Sequence, residues 1–170
     1  MDGFRFSPIR DMSRLSEALF HIHISCHRLC KQSLGMYLPV AGNIGIFSHS
    51  EKEYSLLTRL QQELVDRTKS VYGKYFLLHE PVIFPVTGDI PETTYTHLYI
   101  RKPDIKKPHV GDLDFYLSPP TYMDFKQKVQ NGAVPGARLL ERADLDLVEL
   151  FHQDIDALGY VGDKQWRENA

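Results

Sequence analysis

Two stretches of apolar–polar alternation, residues 93–102 and 109–117, constrain the fold of this chain more than any other feature. A side-chain period of two is typical of a β-strand with one buried face and does not suit a helix. The segment between them, residues 103–108, is short enough for a hairpin connection. The pattern therefore predicts two neighbouring antiparallel strands, with Lys102 paired with His109.

The rest of the chain adds helices and further strands. A 3.6-residue apolar period predicts a helix over about 13–34. A second helix, over about 51–69, begins with a capping box formed by Ser50 and Glu53, and a third covers about 120–130. Further strands are predicted over 42–48, 75–78, 82–84 and 144–151, with a short strand or turn over 154–161.

This order of elements predicts an α+β fold with a mostly antiparallel sheet and about three helices. The order resembles a ferredoxin-like arrangement to which an N-terminal helix has been added. At 170 residues the chain is long enough for one hydrophobic core, so we expect a single domain over 1–170. The two ends, 1–10 and 164–170, are expected to be loosely ordered.

Charge and cysteine content exclude several classes of protein. The 20 Lys and Arg residues are balanced by 22 Asp and Glu residues, which argues against a binder of duplex nucleic acid. No apolar run approaches the ~20 residues that span a bilayer, and residues 1–6 lack the pattern of a signal peptide. Cys26 and Cys30 suit a disulfide poorly, because on a helix their side chains run parallel. We therefore expect a cytoplasmic protein that does not enter a membrane.

The two alternating runs place polar side chains together. Period two separates a core face of leucine, isoleucine and phenylalanine from a face that is polar. That polar face is predicted to hold Tyr95, His97, Tyr99, Arg101, Asp112, Asp114 and Tyr116. Under the predicted pairing, His97 lies opposite Asp114. Tyr99 lies opposite Asp112.

These residue types suit ligand binding and acid–base chemistry. A carboxylate beside an imidazole raises the imidazole pKa, so His97 is a candidate general base oriented by Asp114. Arg101 is a candidate clamp for a carboxylate or phosphate, and Asp112 a candidate ligand for water or a metal ion. Three tyrosines are candidates for stacking on a ring of the ligand: Tyr95, Tyr99 and Tyr116. The alternative is a solvated face whose cross-strand pairs only stabilise the sheet.

Two further patterns carry groups that ligate metals. Acid-apolar-acid units place two carboxylates about 7 Å apart on one side of a strand, which suits Mg²⁺. They occur at Asp112 and Asp114, at Asp144 and Asp146, and at Asp154 and Asp156. On the first helix, His23 and His27 are candidate Zn²⁺ ligands beside the two cysteines. The alternatives are surface acids in the first case and a buried core stripe in the second.

The sequence therefore predicts a small domain that binds a small anionic or nucleotide-like ligand on the polar face and is a candidate for its hydrolysis. A second hypothesis is a non-enzymatic accessory protein that forms a homodimer through the first helix. Phe20 and Ile24 support it, because they lie opposite the apolar stripe of that helix. A third is single-stranded RNA binding on the tyrosines, which the carboxylates of the same face oppose.

Overall fold

The computed structural model describes residues 4–142 and 145–165. Within that part of the chain the helices are α1 (Met12–Leu34), α2 (Glu51–Leu64) and α3 (Pro119–Gln130). The strands are β1 (Val40–Phe47), β2 (Val65–Val71), β3 (Tyr75–Phe84), β4 (Thr93–Arg101), β5 (Gly111–Tyr116), β6 (Ala137–Arg142), β7 (Leu145–Leu150) and β8 (Ala157–Gly162). The fold is α+β, as the sequence predicts.

The strands form one sheet in the order β2-β3-β4-β1-β5-β8-β7-β6. The pairs β1–β4 and β5–β8 are parallel, and the other neighbouring strands are antiparallel. The chain thus repeats one unit, a strand, a helix and three strands, over residues 40–101 and 111–162. The two units meet at the central pair β1–β5. The structure thus has two repeated units, and the predicted ferredoxin-like order is not confirmed.

The predicted hairpin between β4 and β5 is wrong, because β1 lies between these two strands. Gly45 of β1 is paired with Tyr99 of β4 on one side and with Asp112 of β5 on the other. The direct pairing of Lys102 with His109 therefore does not occur. Alternation identifies a strand and its two faces, but any other strand of the chain can supply the neighbouring hydrogen bonds.

Three further boundaries differ from the predicted elements. The helix α2 ends at Leu64, and Val65 already has extended backbone, so the residues predicted as the last helical turn form β2. β3 is one strand instead of two, with a register shift between Leu77 and Val82. β6 has no counterpart among the predicted strands and pairs with β7 along its length.

The helices pack against one face of the sheet and fill the main core there. The apolar stripe predicted for α1 is buried, and it includes Ile22 and Cys26. Contact with the sheet is close, since a Cβ atom on Gly111 would lie 2.4 Å from the Ile22 side chain. Both cysteines are free and buried. None of the described helices combines the length and the apolar character that crossing a membrane requires.

Residues 4–10 lie against α1 and α2. Ile9 is buried, and its backbone N–H donates to the Glu53 carboxylate at 2.7 Å. The Arg14 side chain donates to the carbonyl of Phe6 at 3.2 Å. The remaining parts of the predicted loose ends, residues 1–3 and 166–170, lie outside the described residues.

Candidate functional site

The sheet face turned away from the core helices carries polar side chains on its central strands. Ile44 and Leu113 belong to the helix-side core, so their neighbours in β1 and β5 point to the other side. We call this side the polar face and define it by Asn43, Tyr75, His97, Tyr99, Arg101, Asp112 and Asp114. These residues come from the four adjacent strands β3, β4, β1 and β5.

Strand register arranges the polar face in rows. In one row His97 pairs with Asn43, whose amide Nδ2 donates to Asp114 Oδ2 at 3.0 Å. In the next row Gly45 stands between Tyr99 and Asp112. A Cβ atom at Gly45 would lie 2.3 Å from Asp112 Oδ1 and 3.5 Å from Tyr99 Cδ1. The glycine therefore makes the space in which this carboxyl and this ring approach each other across β1.

The structure brings most of the predicted site residues to this face. His97, Tyr99, Arg101, Asp112 and Asp114 lie there, and Tyr116 follows two residues beyond Asp114 on β5 with a half-buried side chain. The predicted direct opposition of His97 and Asp114 does not occur. These residues stand two strand spacings apart, about 10 Å between backbones, with β1 between them.

Tyr95 is the exception. It is fully buried on the helix side, where its hydroxyl lies 2.6 Å from His23 Nδ1. The expectation that Tyr95 shares a face with Tyr99 is therefore wrong. The alternation is interrupted between them, since the side chains of the consecutive residues Thr96 and His97 lie within 2.8 Å of each other. The register shift between β3 and β4 accompanies this irregularity.

Asp112 is a buried carboxyl with incomplete hydrogen bonding. Asp112 is only 9% exposed, and its Oδ1 has no hydrogen-bond partner among the described residues. Burial, with the charge of Asp114 adding to it, raises the pKa of Asp112 to about 8, although Arg101 and Lys107 favour the ionised form. Asp112 therefore holds a proton through much of the neutral pH range.

Asn43 has an unpartnered oxygen of the same kind. Its Nδ2 faces the carboxylate of Asp114, which only accepts, so the amide orientation is set and Oδ1 points elsewhere. Asn43 is 1% exposed, and no described residue donates to that Oδ1. Buried acceptors are nearly always satisfied. Within residues 4–142 and 145–165, these two oxygens, on Asn43 and Asp112, therefore have capacity left for water or for a ligand.

The tyrosine and histidine of the polar face respond to the same surroundings. Burial raises the pKa of Tyr75, and the negative charges of Asp114 and Asp112 raise it further. The Tyr75 ring lies 5.0 Å from the Tyr99 ring. Burial lowers the pKa of His97, so this imidazole is neutral at pH 7. The face thus combines a neutral imidazole with a carboxyl that retains its proton.

Arg101 marks the end of the polar face. Its guanidinium lies 4.9 Å over the Phe47 ring and 3.5 Å from the Asp104 carboxylate. On the same side of the sheet, Phe47, Leu158 and Tyr160 form a second buried cluster. It adjoins the polar face, because Leu158 pairs with Asp112 and Tyr160 with Asp114. The cation is therefore held on an aromatic ring near the carboxyl pair, in a position to meet an anionic group.

The remaining acid-apolar-acid units have structural partners. Asp146 accepts from the Tyr122 hydroxyl at 2.8 Å and from Lys126 at 3.0 Å. Asp156 accepts from Arg5 at 2.8 Å and lies 2.6 Å from His21 Nε2. Asp144 lies outside the described residues. The contacts of these acids explain their presence without a ligand.

The histidine and cysteine stripe of α1 lies in the core. Burial lowers the pKa of His23 to about 4 and also lowers that of His27. His27 Nδ1 lies 2.7 Å from the His23 carbonyl oxygen, and Cys26 donates to the Leu158 carbonyl at 3.2 Å. Among residues 4–142 and 145–165, no three His, Cys, Asp or Glu side chains are grouped to hold a metal ion. The buried core stripe accounts for these contacts.

Some residues of interest were not among the predicted candidates. Asn43 and Gly45 belong to this group, and their signal in the sequence is a polar residue and a small one inside an otherwise apolar strand.

A cavity of about 320 Å³ near the start of α2 is another feature, lined in part by Ser7, His49 and Glu53. Ser7 Oγ lies 2.6 Å from His49 Nδ1 and 3.0 Å from Glu53 Oε1. These contacts fasten residues 4–10 to α2.

Comparisons with known proteins identify a shared fold. A scan against protein-family models finds no match, and a search of curated proteins finds none. A solved structure from structural genomics, protein EC4020, is similar with a TM-score of 0.56 and 13% identity, covering 96% of this chain and 94% of that one. Two variants of Streptomyces coelicolor methylmalonyl-CoA epimerase in complex with 2-nitronate-propionyl-CoA overlap more loosely. Both have TM-scores of 0.31, with 15% and 14% identity, and both cover 74% of this chain and 95% and 98% of theirs. The similarity to protein EC4020 concerns the fold alone, and the similarity to the epimerase is too weak to support any statement about the site.

Proposed function

We propose that this protein binds a small anionic or nucleotide-like ligand on the polar face. The supporting observation is the pair of buried oxygens, Asn43 Oδ1 and Asp112 Oδ1, that lack a hydrogen-bond partner among the described residues. Leaving such groups unsatisfied costs about 1–3 kcal/mol each, a cost that a bound ligand offsets. A face that served only to stabilise the sheet would gain from satisfying them internally.

The anionic end of the ligand meets Arg101. Its present partner, Asp104, belongs to a loop and is 3.5 Å away, so the ion pair is easily exchanged. An incoming carboxylate or phosphate would accept paired hydrogen bonds from the guanidinium. The Phe47 ring below keeps the guanidinium in place during this exchange.

The same residues support proton transfer, including hydrolysis, on the bound ligand. The pKa of His97 is lowered by burial, so this imidazole is a candidate base. The pKa of Asp112 is raised to about 8 by burial and by Asp114, so it offers an acid. In this proposal Asp114 acts as a positioning residue, because its contact orients the Asn43 amide.

Binding is tested by titrating the protein with inorganic phosphate, acetate and adenosine monophosphate and following its ¹H–¹⁵N NMR spectrum. We expect shifts on β4, β1 and β5, and a loss of affinity of about tenfold or more in Arg101→Ala, because a charge-assisted hydrogen bond is removed. Arg59→Ala is the matched control, since Arg59 is exposed on α2. Equal affinities for the two variants, or no shifts with any of the three compounds, would contradict the proposal.

A second candidate, a homodimer formed through α1, is favoured by one observation. Phe20 is 41% exposed and packs on the half-buried Phe84, so an apolar contact of α1 reaches the surface. Size-exclusion chromatography of the wild type and Phe20→Glu tests it, with Met123→Glu on α3 as the control. A dimer that only Phe20→Glu dissociates is the expected result, and monomeric elution of all three proteins would reject it.

A further inference from the structure

We infer that the ligand of the polar face carries an ammonium group, which binds beside Asn43 and Asp112. The inference rests on the proposed function and specifies the chemistry of one end of that ligand. The opposite end, near Arg101, carries the anion. The ligand class is therefore a small zwitterion, comparable to an amino acid.

The first argument is hydrogen bonding. Asn43 Oδ1 and Asp112 Oδ1 are buried acceptors in adjoining rows, and neither has a partner among the described residues. An ammonium group has three N–H bonds and no lone pair, so it can donate to both oxygens. The amide oxygen of Asn43 offers no donor to an anion, and the charge of Asp114 would repel one.

The second argument is charge. Asp114 and Glu149 supply negative charge around Asp112, against Arg101 and Lys107 on the positive side. Glu149 and Lys107 form an ion pair with each other at 3.2 Å, which leaves the carboxyl pair and Arg101 as the main opposed charges. A cation placed at the carboxyl pair is attracted by the negative charge of Asp114.

The third argument is the row of tyrosines that leads to the carboxyl pair. Tyr99 adjoins Asp112 across Gly45, its ring is 5.0 Å from that of Tyr75, and Tyr75 is 6.5 Å from Tyr72. Tyr72 is 67% exposed in the turn between β2 and β3, with a positive φ of 56°. Aromatic ring faces attract cations, and a residue other than glycine in this conformation is often found at a functional position. The tyrosines thus form a path of aromatic surface from solvent to the carboxyl pair.

A divalent metal ion fits these observations less well. Ca²⁺ takes six to eight oxygen ligands, and Mg²⁺ takes six, several of them waters held beside one or two carboxylates. Asp114 Oδ2 is already engaged by the Asn43 amide. The described acidic, histidine and cysteine side chains also form no group of three around a common point.

The test uses three compounds with the same three-carbon skeleton: β-alanine, propylammonium and propionate. Each is titrated to about 100 mM, enough to detect a Kd in the millimolar range. NMR follows the side-chain Nδ2 resonances of Asn43 and the Nε resonance of Arg101. We expect propylammonium and β-alanine to shift the Asn43 signals and propionate to shift only that of Arg101. Asp112→Asn should weaken propylammonium binding about tenfold, while Asp124→Asn, on the exposed side of α3, should not.

The outcomes separate this inference from the proposed function. If propionate binds as tightly as β-alanine and propylammonium shifts nothing, the ammonium is excluded and the anion site stands. Shifts of the Asn43 signals by Mg²⁺ alone, without any by propylammonium, would also overturn the ammonium. If none of the three compounds shifts either resonance, the ammonium is excluded. The proposed function fails as well if phosphate, acetate and adenosine monophosphate also cause no shifts.

Discussion

Asp112 and Glu149 are two buried carboxyl groups on the same side of one sheet, and their surroundings differ completely. Glu149 accepts hydrogen bonds from Arg138 at 2.8 Å, from Lys107 at 3.2 Å and from the Tyr160 hydroxyl at 2.9 Å. Burial alone would raise its pKa, but these donors and charges hold it below the usual value. Asp112 has the opposite shift, because burial and Asp114 dominate.

The difference teaches how to distinguish structural from functional buried charge. A carboxylate whose partners are complete contributes to the fold and has no capacity left for a ligand. A carboxyl with an unpartnered oxygen costs stability and retains that capacity. We therefore assign Glu149 to the fold and propose Asp112 for the ligand site. Each of the following predictions can break this distinction.

The largest effect is expected for Glu149→Ala. Removing this carboxylate leaves the Tyr160 hydroxyl and two cations without their shared partner, which should lower the free energy of unfolding by about 3 kcal/mol. That is the low end of the range for a broken buried pair, because Arg138 and Lys107 also reach solvent. Urea denaturation at pH 7 measures it, with the exposed Glu63→Ala as control. A change below about 1 kcal/mol would show that Glu149 is not a structural anchor.

Asp112→Asn should have the opposite sign at alkaline pH. The folded pKa of Asp112, about 8, is above the ~3.9 of an unfolded chain, so its contribution to stability is complete below pH 4 and is lost as the pH rises towards 8. At pH 8 the variant should therefore be more stable than the wild type by about 2 kcal/mol. Urea denaturation at pH 5 and pH 8 tests this, with the exposed Asp124→Asn as control. Parallel pH profiles for all three proteins would contradict it.

Gly45→Ala should cost about 1.5 kcal/mol, because the new methyl group would lie 2.3 Å from Asp112 Oδ1 and must displace it. The effect depends on the neighbouring carboxyl. In the double variant Gly45→Ala/Asp112→Ala, the alanine at position 45 should cost much less than in the wild-type background. The four proteins of this cycle are compared by thermal unfolding. Additive effects would mean that the glycine is not there to make room for Asp112.

The smallest effect is expected for Tyr160→Phe, which removes one of several donors to Glu149. Loss of this buried hydrogen bond to the Glu149 carboxylate should lower the free energy of unfolding by about 1 kcal/mol. Tyr37→Phe is the comparison, since its hydroxyl donates to Asp89 at the surface and should contribute almost nothing. Equal effects of the two variants in urea denaturation would show that burial of the Glu149 cluster has no energetic role.

Local sequence patterns predict much of the fold and part of the site. The apolar stripe and the glycine that ends α1 depend only on helix geometry, and Gly35 has the left-handed φ of 72° expected at a helix end. Alternation predicts that Tyr99 and Arg101 share a face, and that Asp112 and Asp114 do so. The prediction fails at Tyr95, because an irregularity in β4 turns this side chain to the opposite face of the sheet. The periodicity of the sequence does not reveal that irregularity.

The repeat of two units and the neighbours of each strand were beyond the reach of these patterns. β1 separates β4 from β5, so His97 faces Asn43 instead of Asp114. The partners of Glu149 come from β6, β8 and the loop before β5, at separations that no local spacing reveals. The sequence therefore does not show that the hydrogen bonding of Glu149 is complete and that of Asp112 incomplete.

The sequence by itself determined the three helices, most of the strands and, for regular strands, which side chains share a face, because backbone geometry sets both periods locally. Only the tertiary structure decided which strands are neighbours, how deeply each charge is buried and which donors reach it. These properties depend on hydrogen bonds and contacts between distant segments, and many pairings satisfy the same alternation. The contrast between Asp112 and Glu149 was decided by the tertiary structure, and the proposed function depends on that contrast.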